Sequence, residues 1–298
     1  MRLEEIAYLS QDEVRRLRRR ATWLCSHPKC GRTWLRFLLG SYMNRALALG
    51  VDLNLRNVFR LIPNDAVHID RFKAMGNGRK AHAFALADLP GAPVVLGTHS
   101  RCKPMLLKRP VILLTRSIPD TLVSHHIHQR EGAVDVPERI ADHLRTDPSP
   151  IDRLIDFYNG WAEGLDASAE PSLLVSYERL TMDAARVVTE VAAFVGLPPD
   201  AGIAAAAADD ASFESMRRLE LAHGAEWRDA GPGQVRTRVR RGRVGGSRED
   251  LSPDDLAIIT DRCRSGLTPG AVRLLARAGT DPIPAHPTPP ETHADPAR

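Results

Sequence analysis

Short apolar runs of four to six residues alternate along this chain with longer stretches in which apolar residues return every third or fourth position, and that alternation predicts strands followed by helices. The first run spans Ala21 to Cys25. His27 to Gly31 interrupt it, after which Trp34, Leu35, Leu38, Leu39, Tyr42 and Ala46 recur at helical spacing. Val94 to His99 and Val111 to Thr115 read as the second and third strands, with a helix from about Ile118; Leu173 to Ser176 reads as a fourth, leading through Tyr177 into a helix near 183–196. Helical pattern also covers 136–165 and, in Ala-rich form, about 199–221, and helices at about 252–263 and 267–278 close the fold. The expected class is α/β, a central parallel sheet flanked by helices, with ligands at the carboxyl ends of the strands.

The pattern fails in three places. Residues 51–92 carry breakers at Pro63, Asn64, Gly76, Gly78 and Pro90, a kind of segment that often covers a site as a lid; whether it does so here stays open. Residues 229–249 are rich in Gly and Arg without periodicity, which predicts a long functional loop. From residue 281 the chain is Pro-rich and reads as a disordered tail, leaving residues 1–280 as one domain.

Composition adds bounds. With 298 residues, 43% of them hydrophobic, a substantial core is available. No apolar run approaches the roughly 18 residues of a membrane span, and the Arg-rich start mixes acids and bases where a secretory signal is uninterruptedly apolar, so a cytoplasmic protein without an integral membrane segment is expected. Cys25, Cys30, Cys102 and Cys263 lack metal-ligand spacing and read as free thiols. The net charge of +4 fits small acidic ligands as well as nucleic acid. Its distribution says more: Arg15, Arg16, Arg18, Arg19 and Arg20 read as a solvated helix face, whereas Arg236, Arg238, Arg240, Arg241 and Arg243 stand among glycines as an anion site.

The chemistry starts at the first strand, loop and helix. Such a loop aims backbone N–H groups and the positive end of a helix dipole at one point, the arrangement that holds phosphate or sulfate. Lys29 adds a mobile cation, Gly31 lets the backbone approach an anion and Thr33 adds a hydroxyl. The nucleotide-triphosphatase loop, with Lys directly before Ser or Thr, is absent. HPKCGRTW instead resembles the 5′-phosphosulfate loop of the sulfotransferases that use 3′-phosphoadenosine 5′-phosphosulfate (PAPS), usually written Pro-Lys-Ser-Gly-Thr-Thr-Trp. Lys29, Gly31, Thr33 and Trp34 match it, while Cys30 and Arg32 replace small hydroxyl residues.

Two further segments extend the resemblance. In VILLTRSIPDTLVSHH, Arg116 ends a strand, Ser117 can cap the next helix with Asp120, and Ser124 lies about one and a half turns in; an Arg fork with a nearby hydroxyl suits a terminal phosphate. The segment is similar to the family's 3′-phosphate motif, in which Ser follows Arg by eight residues. In VRRGRVGG, Arg240, Arg241, Gly242 and Gly245 match the family's C-terminal Gly loop. Tyr177 in YERL and Phe213 in SFESM match aromatics that border the adenine together with the loop Trp, here Trp34. The resemblance implies PAPS as co-substrate, with Lys29, Cys30, Gly31, Arg32, Thr33 and Trp34 on its phosphosulfate and adenine side and Arg116, Ser124, Arg240, Arg241 and Gly242 on its 3′-phosphate.

His99 ends the second strand and therefore faces the same edge as Lys29; it matches the catalytic His of the family's cytosolic branch, with Lys29 following charge onto the bridging oxygen. Gly97 stands where that branch has a Lys, so Arg101 or Lys103 is the candidate substitute. His27 is a rival base at a position better suited to packing. His125, His126 and His128 do not share one helix face, and sulfuryl transfer needs no divalent ion, so no metal is expected. The reading is sulfuryl transfer from PAPS to a hydroxyl of a small molecule, glycan or lipid, with no nucleic-acid partner; acceptor and oligomeric state stay open. Its rivals are a small-molecule or nucleotide kinase and a nucleic-acid-binding protein built on Arg236 to Arg243.

Overall fold

The computed structural model describes residues 11–55, 57–64, 91–131, 135–223 and 242–283. Most of the candidate lid, the Arg-rich part of the Gly loop with Arg240 and Arg241, and the Pro-rich tail lie outside the described residues.

Four strands form one sheet: β1, Thr22–Ser26; β2, Val95–Thr98; β3, Val111–Thr115; and β4, Ser172–Ser176. Their order is β2-β1-β3-β4 and every pairing is parallel, with Trp23 opposite both Leu96 and Val111. A parallel sheet needs a crossover after each strand, and the crossovers cover both faces with helices. That is why every residue of β1, β2 and β3 is buried and why these strands read as continuous apolar runs rather than alternating ones.

Apart from a short helix at Val58–Leu61, within the stretch that read as unpatterned, the helices keep the order expected from the pattern. They begin with α1, Gln11–Arg20, α2, Arg32–Ala46, α3, Val58–Leu61, and α4, Ile118–Glu131. Helix α2 buries Leu35, Phe37, Leu38, Leu39, Tyr42 and Met43 against the sheet and its neighbours, so it is held on nearly all sides. In α1, Leu17 is buried and Arg16, Arg19 and Arg20 are exposed.

One expectation needs correction. Residues 136–165 are not a continuous helix: a turn at Ile140–His143 ends before Pro148 and a new helix runs from Pro150 to Asp166. Proline has no N–H to continue a helix but is tolerated in a first turn, and Ser149 caps the new helix by accepting from the Ile151 N–H. Phe157, Tyr158 and Trp161 of this helix enter the core beneath the sheet's carboxyl edge.

The last residues of β1, β2, β3 and β4 are Ser26, Thr98, Thr115 and Ser176; His27, His99, Arg116 and Tyr177 each stand one place beyond. Four strand ends therefore deliver four side chains with chemistry to one edge.

Candidate active site

The loop after β1 turns sharply to start α2. Lys29 (φ 72) and Gly31 (φ 95) both adopt left-handed backbone, and Gly31 is the N-cap of α2 without a side-chain cap. A Cβ on Gly31 would lie 2.6 Å from the Tyr177 ring, so glycine is required there twice over, by its dihedral angle and by the ring. The first amides of a helix start without a carbonyl of their own helix to bond, which suits an anion; here the Trp34 N–H already donates to the Gly31 carbonyl at 2.9 Å.

A cavity of about 350 Å³ opens above this loop, at the carboxyl edge of the sheet. Lys29, Gly31, Arg32, Thr33, Trp34, His99, Arg116, Ser124, Tyr177, Phe213 and Gly242 all line it, so segments far apart in sequence are brought together as the motif order implied. Cys30 departs from expectation. Its side chain is fully buried on the core side, within 3.9 Å of the Thr121 hydroxyl and 3.8 Å of the Tyr158 hydroxyl, and it is absent from the cavity wall. The left-handed residues on either side turn the loop so that Lys29 and Cys30 diverge. Burial pushes the thiol up to about 11, eased by its two hydroxyl neighbours.

At one end of the cavity stand Arg116 and the Gly loop. Arg116 donates to the Lys29 carbonyl at 3.0 Å, which ties β3 to the loop, and its guanidinium lies 4.1 Å over the Tyr177 ring. Sequence reasoning missed Asp120. Read as a capping partner for Ser117, it instead accepts from the backbone N–H groups of Gly245 (2.8 Å) and Ser247 (2.9 Å), with Arg116 at 3.9 Å. The Ser117 N–H goes to the Glu178 carboxylate instead, at 2.8 Å. A carboxylate that is 2% exposed thus anchors the Gly loop beside the guanidinium. Arg243, from the basic cluster but outside the expected site set, also lines the cavity and pairs with Glu249.

The aromatic wall adjoins Arg116 and the Gly loop. Trp34 donates its indole N–H to the Ala211 carbonyl at 2.8 Å and meets Tyr177 edge to face at 5.4 Å. Phe213 packs under Gly242, where a Cβ would collide with its ring. Flat apolar faces here suit a base, each stacking contact contributing on the order of 1 to 3 kcal/mol.

At the other end His99 Nδ1 lies 2.8 Å from the Ser26 carbonyl, which only accepts, so Nδ1 carries the proton and Nε2 is left basic. Burial, then the charges of Arg32 and Arg36, push His99 down to about 2, against the raising effect of the Ser26 bond. His27 is pushed down to about 4 by burial and packs edge to face on Phe157 and His125. It does not line the cavity, which fits the packing role. Neither Arg101, paired with Asp156 on the surface, nor Lys103, also exposed, lines the cavity. His126 and His143 form a buried pair with their Nδ1 atoms 2.9 Å apart, and among the described residues no cluster of three or more His, Cys, Asp or Glu could hold a metal.

Three comparisons bear on this geometry. A family model described as "Sulfotransferase domain" matches residues 19–273. Cytosolic sulfotransferase 17 of Arabidopsis thaliana is 25% identical over 258 residues, spanning 80% of this chain and 71% of that protein. Among solved structures, retinol dehydratase in a complex with retinol and 3′-phosphoadenosine 5′-phosphate (PAP) superimposes with a TM-score of 0.60 at 16% identity over 84% of this chain and 81% of the other. Mouse sulfotransferase SULT7A1 complexed with PAP gives 0.55 at 17% identity over 90% and 94%. These structural likenesses share the α/β fold found here.

Proposed function

Starting from a chain that belongs to the sulfotransferase domain family, we propose that its cavity binds PAPS and passes the sulfuryl group to an acceptor hydroxyl, with His99 as the base. One observation carries the reading: a single cavity joins a helix N-terminus with Lys29 and Thr33, three aromatic faces, and an Arg–Ser pair. The residues fit such a donor. Arg116 Nε is buried in the cavity wall with no hydrogen-bond partner among the described residues, and glycines at 31 and 242 keep the backbone open against the rings. No helix among the described residues is long and apolar enough to cross a membrane, and a cytoplasmic setting is our reading.

Lys29, Thr33 and the first-turn amides of α2 would hold the 5′-phosphosulfate, Trp34, Tyr177 and Phe213 the adenine, and Arg116, Ser124 and the Gly242 loop the 3′-phosphate, Arg240 and Arg241 adding charge from outside the described residues. PAPS supplies a sulfuryl group on a phosphosulfate anhydride, whose cleavage leaves PAP. His99 accepts the hydroxyl proton at Nε2 while its Nδ1–H stays on Ser26. Its basicity is held down by burial and then by neighbouring guanidinium charge, and an anion beside those cations offsets the second effect and raises it. This chemistry needs no metal, and a small-molecule alcohol or phenol is the acceptor class we favour. Residues 1–280 form the domain in this reading.

Thermal shift with PAP against ATP tests it. PAP raises the melting temperature more, because Arg116 and Ser124 meet a 3′-phosphate that ATP lacks; an equal or larger shift with ATP overturns the assignment.

A further inference from the structure

This inference rests on the donor reading above and concerns how the chain replaces a missing cation. Gly97, in β2, has Arg36 in the space its side chain would fill: a Cβ there would run into the Arg36 guanidinium, with Asn64 Oδ1 at 3.3 Å. Arg36 comes from one turn further along α2 than Arg32 and is 1% exposed, yet an arginine does not shed its charge. It lies 4.1 Å over the Phe59 ring. Its NH2 donates to Asn64 Oδ1 at 2.6 Å, and Arg32 donates to the same oxygen at 3.2 Å. Asn64 in turn is fixed to β2, where it bridges to Gly97 while the Gly97 N–H donates to the Pro63 carbonyl at 2.7 Å.

We propose that Arg32, which lines the cavity beside His99, is the cation that stabilises the departing phosphate oxygen, and that Arg36, Asn64 and the side-chain-free Gly97 are the device that positions it. A lysine at 97 would occupy the volume that Arg36 now fills, so the absent side chain and the buried arginine are two halves of one substitution. As the acceptor oxygen bonds to sulfur, the bond from sulfur to the bridging oxygen breaks with its electron pair going to that oxygen, and Arg32 donates a hydrogen bond to it. The acceptor proton goes to His99 Nε2. Burial lowers the basicity of His99 first, and the charges of Arg32 and Arg36 beside it lower it further.

The test needs no acceptor: slow hydrolysis of PAPS labelled in its sulfuryl group, with water as acceptor, is followed beside PAP affinity by titration. Arg32→Met lowers kcat about 30- to 100-fold and, because the departed oxygen stays on the 5′-phosphate of PAP, weakens PAP binding as well, by less than kcat falls. Arg32→Lys recovers part of the loss. Removing the guanidinium also takes one lowering influence off His99, so the acid limb of the rate profile moves to higher pH, which a structural role would not cause. Asn64→Ala gives the same pattern at about fivefold and covers the case in which Arg36→Met fails to fold. Arg101→Ala and Lys103→Ala stay within twofold. Hydrolysis by Arg32→Met within twofold of wild type, or a large loss in Arg101→Ala or Lys103→Ala, overturns this inference and leaves the donor reading standing. A wild-type protein that neither binds PAP nor hydrolyses PAPS overturns both.

Discussion

The two ends of the cavity handle positive charge in opposite ways. At the Arg116 end the charge is balanced before any ligand arrives: the guanidinium has a carbonyl, an aromatic face and the Asp120 carboxylate around it, and that carboxylate holds two amides of the Gly loop. At the His99 end two guanidiniums share the Asn64 amide oxygen beside an imidazole that burial first, and their charges second, keep unprotonated. The first end is built for rigid recognition. The second places cations beside the group proposed to take the proton, so donor recognition and chemistry respond to different mutations.

The largest expected break falls on the reactive end. His99→Ala lowers turnover about 10²- to 10⁴-fold with PAP affinity nearly unchanged, as followed by transfer assays beside titration. Retained turnover moves the base elsewhere. At the other end Asp120→Ala releases the Gly loop and leaves Arg116 without its carboxylate; stability drops by about 3 kcal/mol in denaturant titration, and PAP binding weakens more than turnover of bound donor. Gly242→Ala is smaller: a methyl group pushed into Phe213 at φ 62 costs about 1 to 2 kcal/mol of PAP affinity, read by titration, with no change in the pH profile. The smallest effect separates packing from catalysis. His27 and His99 have folded-state pKa values below 6.5, so the unfolded chain binds more protons and stability is lost as pH falls below 6.5, down to about 4 for His27 and about 2 for His99. Each contributes about 0.8 kcal/mol of loss between pH 7.5 and 6, and His27→Phe removes one such share from the melting curves while leaving transfer intact.

What could be read from the sequence was whatever local pattern decides. The change of period at His27 to Gly31 marked the loop, strand ends marked His99 and Arg116, and a strand-to-helix step marked Tyr177. Tertiary partners were invisible. Arg36 sits four residues after Arg32 and looks like one more solvated helix position, yet the sheet edge and Phe59 enclose it. Asn64 lies in a stretch with no period at all and gains its meaning only by bridging to Gly97. Asp120 satisfied a local rule for helix starts, and the structure spends it on amides 125 and 127 residues away. The break before Pro150 was legible, since Pro148 and Pro150 stand in the sequence, but a uniform apolar rhythm masked it.

Cys30 sits immediately after the lysine that the proposed chemistry depends on, a position where a reactive thiolate would expose the loop to oxidants and alkylating reagents. Folding its sulfur inward, against the Tyr158 and Thr121 hydroxyls, keeps it protonated and out of reach. The loop can therefore work through swings in cellular redox state without a modification blocking the lysine beside it, and Cys102, the one cysteine here that is only half-buried, is left as the thiol nearest to solvent.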